Sequence, residues 1–134
     1  MATRTITLTG RPPVRIDEEN WPLIASAKDK EHDGQVECQA NRMSKWFVGV
    51  RQHKDGRAIV YATYSHDSNW QGSRCYNAAR CVLLGIGTDA GEICRTISAV
   101  CDDIATAEHS GDDADRWSTL ANECIADMPA DVLE

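Results

Sequence analysis

Flat aromatic rings and guanidinium groups are the side chains on which nucleic-acid bases stack, and this sequence concentrates several of them in one region. If residues 45–53 and 57–66 pair as a hairpin, one side of it carries an aromatic and cationic mixture, extended by neighbouring residues. The set is Phe47, Arg51, Arg57, Tyr64 and Trp70. Such a face predicts binding of a nucleotide or nucleic acid. The net charge of −7 makes direct contact with a long nucleic acid the less favoured hypothesis.

Carboxylates dominate the other end of the chain. Residues 1–87 contain 12 Lys and Arg against nine Asp and Glu, whereas residues 88–134 contain only Arg95 and Arg116 against 12 acids. Six of these acids lie close in sequence around a predicted turn between helices: Asp102, Asp103, Glu108, Asp112, Asp113 and Asp115. Crowded carboxylates repel one another, so an opposing basic surface would be favoured. The pattern predicts a site for a basic host protein or nucleoprotein complex; solvated helix faces are the alternative.

Other chemistry finds little support in the sequence. Residues 85–90 match G-x-G-x-x-A, but no second parallel strand is expected after the following helix, so a tight strand-to-helix turn is the better interpretation. His53 and His66 would lie too far apart along the hairpin to share a metal ion, and none of the six cysteines has C-x-x-C spacing. We therefore expect reduced structural thiols, no metal, no cofactor and no catalytic residue.

The elements that must position these residues begin with an alternating segment at 4–9, which predicts a strand. Asp17 is a candidate N-cap for a helix through about Ala27, because acids follow it in the first turn. The polar run at 28–34 predicts a loop. The absence of a long apolar stretch predicts a cytoplasmic protein without a membrane segment.

The middle of the chain changes to a two-residue period. Segments 36–42, 45–53 and 57–66 alternate, and Asp55-Gly56 is a two-residue turn signal, so an antiparallel meander is predicted. A two-residue turn places residue 54 opposite residue 57. One side of the hairpin then carries Trp46, Val48, Val50, Ile59, Tyr61 and Thr63.

The last third has a helical period. An apolar run at 81–84 predicts a strand, and a helix follows from Asp89 with one apolar stripe: Ile93, Cys94, Ile97, Val100, Cys101 and Ile104. A second helix, capped by Asp112 or Asp113, turns Trp117, Leu120, Ala121 and Cys124 inward. The whole chain, 1–134, is predicted to be one α+β domain. It would have an antiparallel sheet of four or five strands, an N-terminal helix, and two C-terminal helices on one face.

In the stretches RPPVRIDEENWPLIASA (11–27) and KWFVGVRQHKDGRAIVYATY (45–64) the chain resembles small uncharacterised proteins of prophages, plasmids and other bacterial mobile elements. In size, acidity and α+β layout it is also similar to anti-CRISPR proteins, which bind a defence complex and block it without chemistry. The resemblance implies a non-enzymatic inhibitor or accessory factor acting in the bacterial cytoplasm. The basic first part of the chain argues against simple DNA mimicry, and a homodimer stays open.

Overall fold

The computed structural model describes residues 3–7, 12–32, 42–68, 76–107 and 114–129. Within these ranges the chain forms six strands followed by two helices. In order they are β1 (Thr3–Ile6), β2 (Val14–Asp17), β3 (Leu23–His32), β4 (Arg42–Gln52), β5 (Ala58–Ser68), β6 (Tyr76–Leu84), α1 (Ala90–Ala105) and α2 (Ala114–Asp127).

The strands form two separate antiparallel sheets. β3, β4, β5 and β6 make a four-stranded meander in chain order, and β1 pairs only with β2 as a short ribbon. Both helices cover one face of the meander, whereas the apolar side chains of the ribbon, Ile6 and Ile16, cluster with Ile59, Tyr61 and Ala79 on the other face. The four-stranded sheet is therefore the middle layer of the molecule.

The two helices form because their apolar residues recur at the helical period. In α1 the buried residues are Ile93, Ile97, Val100, Cys101 and Ile104, and in α2 they are Trp117, Leu120, Ala121 and Cys124. Asp89 caps α1: its side chain accepts a 2.7 Å hydrogen bond from the amide of Glu92. Cys94, predicted to belong to the stripe, is only half-buried. The predicted caps of the second helix, Asp112 and Asp113, lie outside the described residues.

The predicted N-terminal helix at 17–27 is wrong. Asp17 ends β2, and its side chain accepts a hydrogen bond from the amide of Glu19, two residues on, while its carbonyl accepts one from Trp21. The side chain thus closes a turn, which uses the same Asp chemistry as a helix cap. From Leu23 the chain pairs with β4 through His32, so the predicted loop at 28–34 is also wrong up to that residue. The predicted strand at 36–42 falls outside the described residues except for Arg42, where β4 begins.

The predicted register of the central hairpin is wrong by one residue. Gln52 lies opposite Ala58, and the His53 amide donates to the Arg57 carbonyl at 2.8 Å, which leaves three residues in the loop. Gly56, the last of them, has φ +97°, as expected for a type I turn followed by a left-handed residue. One extra loop residue moves every side chain of β5 to the opposite face. Trp46 therefore lies opposite Tyr64, and Ile59 and Tyr61 face the ribbon.

Candidate functional site

The predicted base-stacking face is not assembled. Tyr64 lies on the helix side, 7% exposed, with its ring centroid 5.2 Å from that of Trp46 and its hydroxyl 3.1 Å from the Ser44 hydroxyl. Arg51 lies on the ribbon side, also 7% exposed. Its guanidinium donates to the Trp21 carbonyl and the Tyr61 hydroxyl at 3.0 and 3.3 Å. Both groups are held inside the protein, where no base can reach them.

Arg57 is held at the tip of the hairpin. Its Nε donates to Asp55 at 2.8 Å, and its guanidinium carbon lies 5.1 Å from the centroid of the Trp21 ring. Partial desolvation would raise the pKa of Asp55. The hydrogen bonds from Arg57 and the charges of Arg57 and His53 outweigh it and lower this pKa. Trp70 lies outside the described residues. Among the members of the predicted set that the structure describes, Phe47 is the remaining candidate for stacking.

The predicted acidic site is described in part. Asp102, Asp103 and Asp115 are exposed on the helices, whereas Glu108, Asp112 and Asp113 lie outside the described residues. Asp103 forms an ion pair with Arg80 on β6, with 3.0 Å between Arg80 Nε and Asp103 Oδ2. Two further exposed helix carboxylates, Glu92 and Glu123, belong to the same surface. We call the exposed carboxylates Glu92, Asp102, Asp103, Asp115 and Glu123 the acidic helical face; Asp127 is also exposed but accepts a hydrogen bond from the Ser26 amide and is not included.

Arg116 does not neutralise the acidic helical face. Its guanidinium turns towards the sheet, where it contacts Glu31 at 2.8 Å and Asp29 at 3.6 Å. The guanidinium carbon also lies 4.0 Å from the centroid of the Trp46 ring, a cation–π contact. Of the cations on the described parts of α1 and α2, only Arg95 is left exposed.

Lysines that were not among the residues predicted from the sequence occupy the opposite side of the sheet. In the K-D-K-E segment of β3, Asp29 and Glu31 point to the helix side, so Lys28 and Lys30 point to the ribbon side. Lys30 lies directly opposite Lys45 of β4, and Lys28 lies opposite Phe47. The missed signal is the alternating sign of charge at a two-residue period, which is typical of a strand between unlike surfaces.

These three lysines are exposed and line a cavity of about 500 Å³ together with Asp29, Trp46 and Phe47. Their ammonium groups form no ion pair with any residue that the structure describes. Like charges directly opposite each other in a sheet are destabilising. The arrangement therefore favours an anion that would sit between Lys30 and Lys45.

Two of the thiols are deeply buried, and the glycine-rich segment forms a tight turn. Burial first, and neighbouring thiols and carboxylates second, raise the pKa of Cys101 and of Cys124 to about 12, so both are neutral thiols at physiological pH. In the strand-to-helix turn Gly87 has φ +84° and the Thr88 hydroxyl donates to the Gly85 carbonyl at 2.7 Å. The sheet that precedes it is antiparallel throughout, unlike a dinucleotide-binding unit. Among the described residues, no three His, Cys, Asp or Glu converge to hold a metal ion.

Comparison with protein-family models, with curated proteins and with solved structures finds no match. Neither described helix is long and apolar enough to cross a membrane.

Proposed function

We propose that this protein is a non-enzymatic binding protein that engages a basic partner through the acidic helical face. The observation that carries the proposal is the exposure of its carboxylates, of which only Asp103 has an ion pair with a residue that the structure describes. Arg95 is the one exposed cation on the described helices, and Arg116 is withdrawn onto Glu31 and Trp46. A surface with this excess of one charge attracts an oppositely charged partner from a distance and repels others.

The ion pairs of the helical layer indicate which carboxylates are available. Asp103 is engaged by Arg80, and Asp127 accepts a hydrogen bond from the amide of Ser26 at 2.9 Å. Asp102 has no ion pair within the described residues, although it lies next to Asp103 in α1. Asp102 would therefore contribute more to a partner's binding than Asp103, whose charge is already compensated.

The resemblance to small proteins of bacterial mobile elements supports the class of inhibitor or accessory factor for this binding protein. In this proposal the partner is a basic host protein or a nucleoprotein complex with an accessible basic surface, including a defence complex of the CRISPR type. Binding would work by occupying that surface, which requires no chemistry from the inhibitor.

The experiment is a pull-down of the tagged full chain from bacterial lysate, followed by mass spectrometry and elution with increasing salt. Asp102→Asn and Glu123→Gln, separately and together, remove charge from the acidic helical face. Glu19→Gln is the matched control, because Glu19 is an exposed acid in the turn after β2.

We expect the wild type to retain a specific basic partner that elutes at moderate salt, since exposed charges are screened over about 8–10 Å at such ionic strengths. The double variant should lose most of this partner, and Glu19→Gln should keep it. Equal capture and equal salt dependence for the wild type and the double variant would remove the acidic helical face as the contact.

A further inference from the structure

Six side chains on the ribbon side of the sheet form a regular grid, two from each of three neighbouring strands. Phe47 lies opposite Thr63 and Lys45 lies opposite Ser65 on β5, in the same rows as Lys28 and Lys30 on β3. We call this grid the lysine platform: Lys28, Lys30, Lys45, Phe47, Thr63 and Ser65. It shares only Phe47 with the set that the sequence predicted, because the true register places Tyr64 on the other face.

Phe47 provides an aromatic surface in the platform. Its ring lies over Gly49, since a methyl group at Gly49 would come within 2.7 Å of two ring carbons. Tyr61 supports the ring from the side, with 5.5 Å between the ring centroids. The side chain is half-buried, so part of the ring remains open to solvent. An aromatic ring held against a sheet is the element on which an unpaired base stacks.

The lysines supply what a phosphate backbone needs. Lys28 and Lys30 are separated by roughly 7 Å along their strand, and Lys45 adds a third ammonium group across from Lys30. The hydroxyls of Thr63 and Ser65 lie beside them and are suited to phosphate or sugar oxygens. An extended, flexible polyanion can place successive charges on this grid, while a rigid duplex would meet Phe47 with its bases already stacked.

The net charge of −7 does not by itself oppose such a ligand, because the acidic helical face lies on the other side of the sheet from the lysines. The helices lie between the acidic helical face and the sheet, and a helix with its side chains is about 10 Å thick. This thickness exceeds the screening length of about 8 Å at physiological ionic strength. Asp29 and Glu31, the nearest acids in the sequence, are engaged by Arg116 on the helix side.

We infer that the lysine platform is a binding site for single-stranded nucleic acid, whose phosphates contact Lys28, Lys30 and Lys45 and whose base stacks on Phe47. This site is independent of the acidic helical face, and either can exist without the other. It explains why Lys30 and Lys45 face each other across β3 and β4 with no ion pair to a carboxylate in the described parts of the chain.

The test is fluorescence anisotropy with a labelled short oligo(dT) and, separately, a short oligo(U), at several salt concentrations. Three phosphate contacts give a slope of log affinity against log salt of about −2, so the affinity falls about 20-fold between 50 and 200 mM salt. Each of Lys28→Gln, Lys30→Gln and Lys45→Gln should reduce that slope by about 0.7. Lys54→Gln is the matched control, because Lys54 is an exposed lysine in the hairpin loop at the other end of β4.

Phe47→Leu tests stacking while it keeps an apolar side chain at a half-buried position. We expect binding to weaken on the order of 10-fold with the salt slope unchanged. A thermal melt of this variant checks that it is folded. If Phe47→Leu does not fold, the three lysine variants still test the site, because they change exposed residues. Asp102→Asn should leave oligonucleotide affinity unchanged, which separates this site from the acidic helical face.

Competition identifies the ligand class. Unlabelled oligo(dT) should displace the probe, whereas a duplex of equal length, polyglutamate and thymidine monophosphate should displace it poorly. The inference is overturned if neither oligonucleotide binds saturably at 50 mM salt, or if the platform lysine variants behave like Lys54→Gln. Equal competition by the duplex or by polyglutamate would show a general polyanion surface and overturn it too. Tight binding of the mononucleotide at the same site would replace the polymer with a small ligand.

Discussion

Replacing Gly56 with alanine tests the three-residue turn of the central hairpin. The length of this turn determines which face of the sheet each β5 side chain occupies. Gly56 has φ +97°, a conformation that destabilises a residue with a side chain by roughly 1–2 kcal/mol. The new methyl group would also lie 2.8 Å from the Gly87 amide nitrogen, a backbone atom that no side-chain rotation can move away. Strain and contact together predict a loss of unfolding free energy above about 2 kcal/mol.

Two other glycines in the adjoining turn separate these two effects. Gly87 has φ +84° but open space around its Cα, so Gly87→Ala should show the strain alone, about 1–2 kcal/mol. Gly85 has no positive φ and no atom within 4 Å of an added methyl group. Gly85→Ala should therefore be neutral, or stabilising by up to about 1 kcal/mol because alanine restricts the unfolded chain.

The assay is urea unfolding followed by circular dichroism, with linear extrapolation of the free energy of unfolding to water. The expected order of stability is Gly85→Ala, then Gly87→Ala, then Gly56→Ala, with similar dependence on urea in all three. If Gly56→Ala is as stable as Gly85→Ala, the close approach of the two turns is wrong. The register derived from the three-residue loop then loses its support.

Three further properties can be measured directly. Cys101 and Cys124, with pKa values of about 12, should resist alkylation at pH 8 in the native protein and react after unfolding; rapid native labelling would contradict their burial. The pKa of Asp55 in the folded protein lies below its usual 3.8, so the stabilising contribution of this carboxylate is present above pH 3.8 and is lost as the pH falls below the folded pKa. The Asp55 carboxyl should therefore titrate below pH 3.8 by NMR. A titration midpoint at or above 3.8 would refute this expectation. Arg116→Met removes the cation 4.0 Å from the Trp46 ring centroid, which should destabilise the fold by about 1 kcal/mol and change tryptophan emission; an unaltered melt and spectrum would argue against that contact.

The helices could be predicted from the sequence because their signals are local. The stripe of Ile93, Ile97, Val100 and Ile104 repeats at the helical period, and Asp89 stands where a cap is required. The face of the sheet on which each β5 side chain lies could not be predicted in the same way. It depends on whether the turn at Asp55-Gly56 includes one more residue, and a two-residue and a three-residue loop use the same residue types.

The N-terminal error has a related cause. Asp17 followed by Glu18 and Glu19 is equally compatible with a helix cap and with a turn closed by the Asp side chain. The outcome is decided by pairing of the next segment with β4, a contact between distant parts of the chain. The same pairing creates the lysine platform. Without it, the polar sequence at 28–34 predicts a loop, which does not place Lys28 and Lys30 on one face with Lys45.

We expect the two oppositely charged faces to bind different classes of ligand. NMR titration of the ¹⁵N-labelled protein with two probes tests this expectation directly. A short oligo(dT) should shift amides at residues 28–30 and 45–47, and a short oligolysine peptide should shift amides around Asp102 and Glu123 on the helices. Each probe should leave the other face unchanged. Shifts from both probes on the same face, or no localised shift from either, would contradict the division of binding between the sheet and the helices.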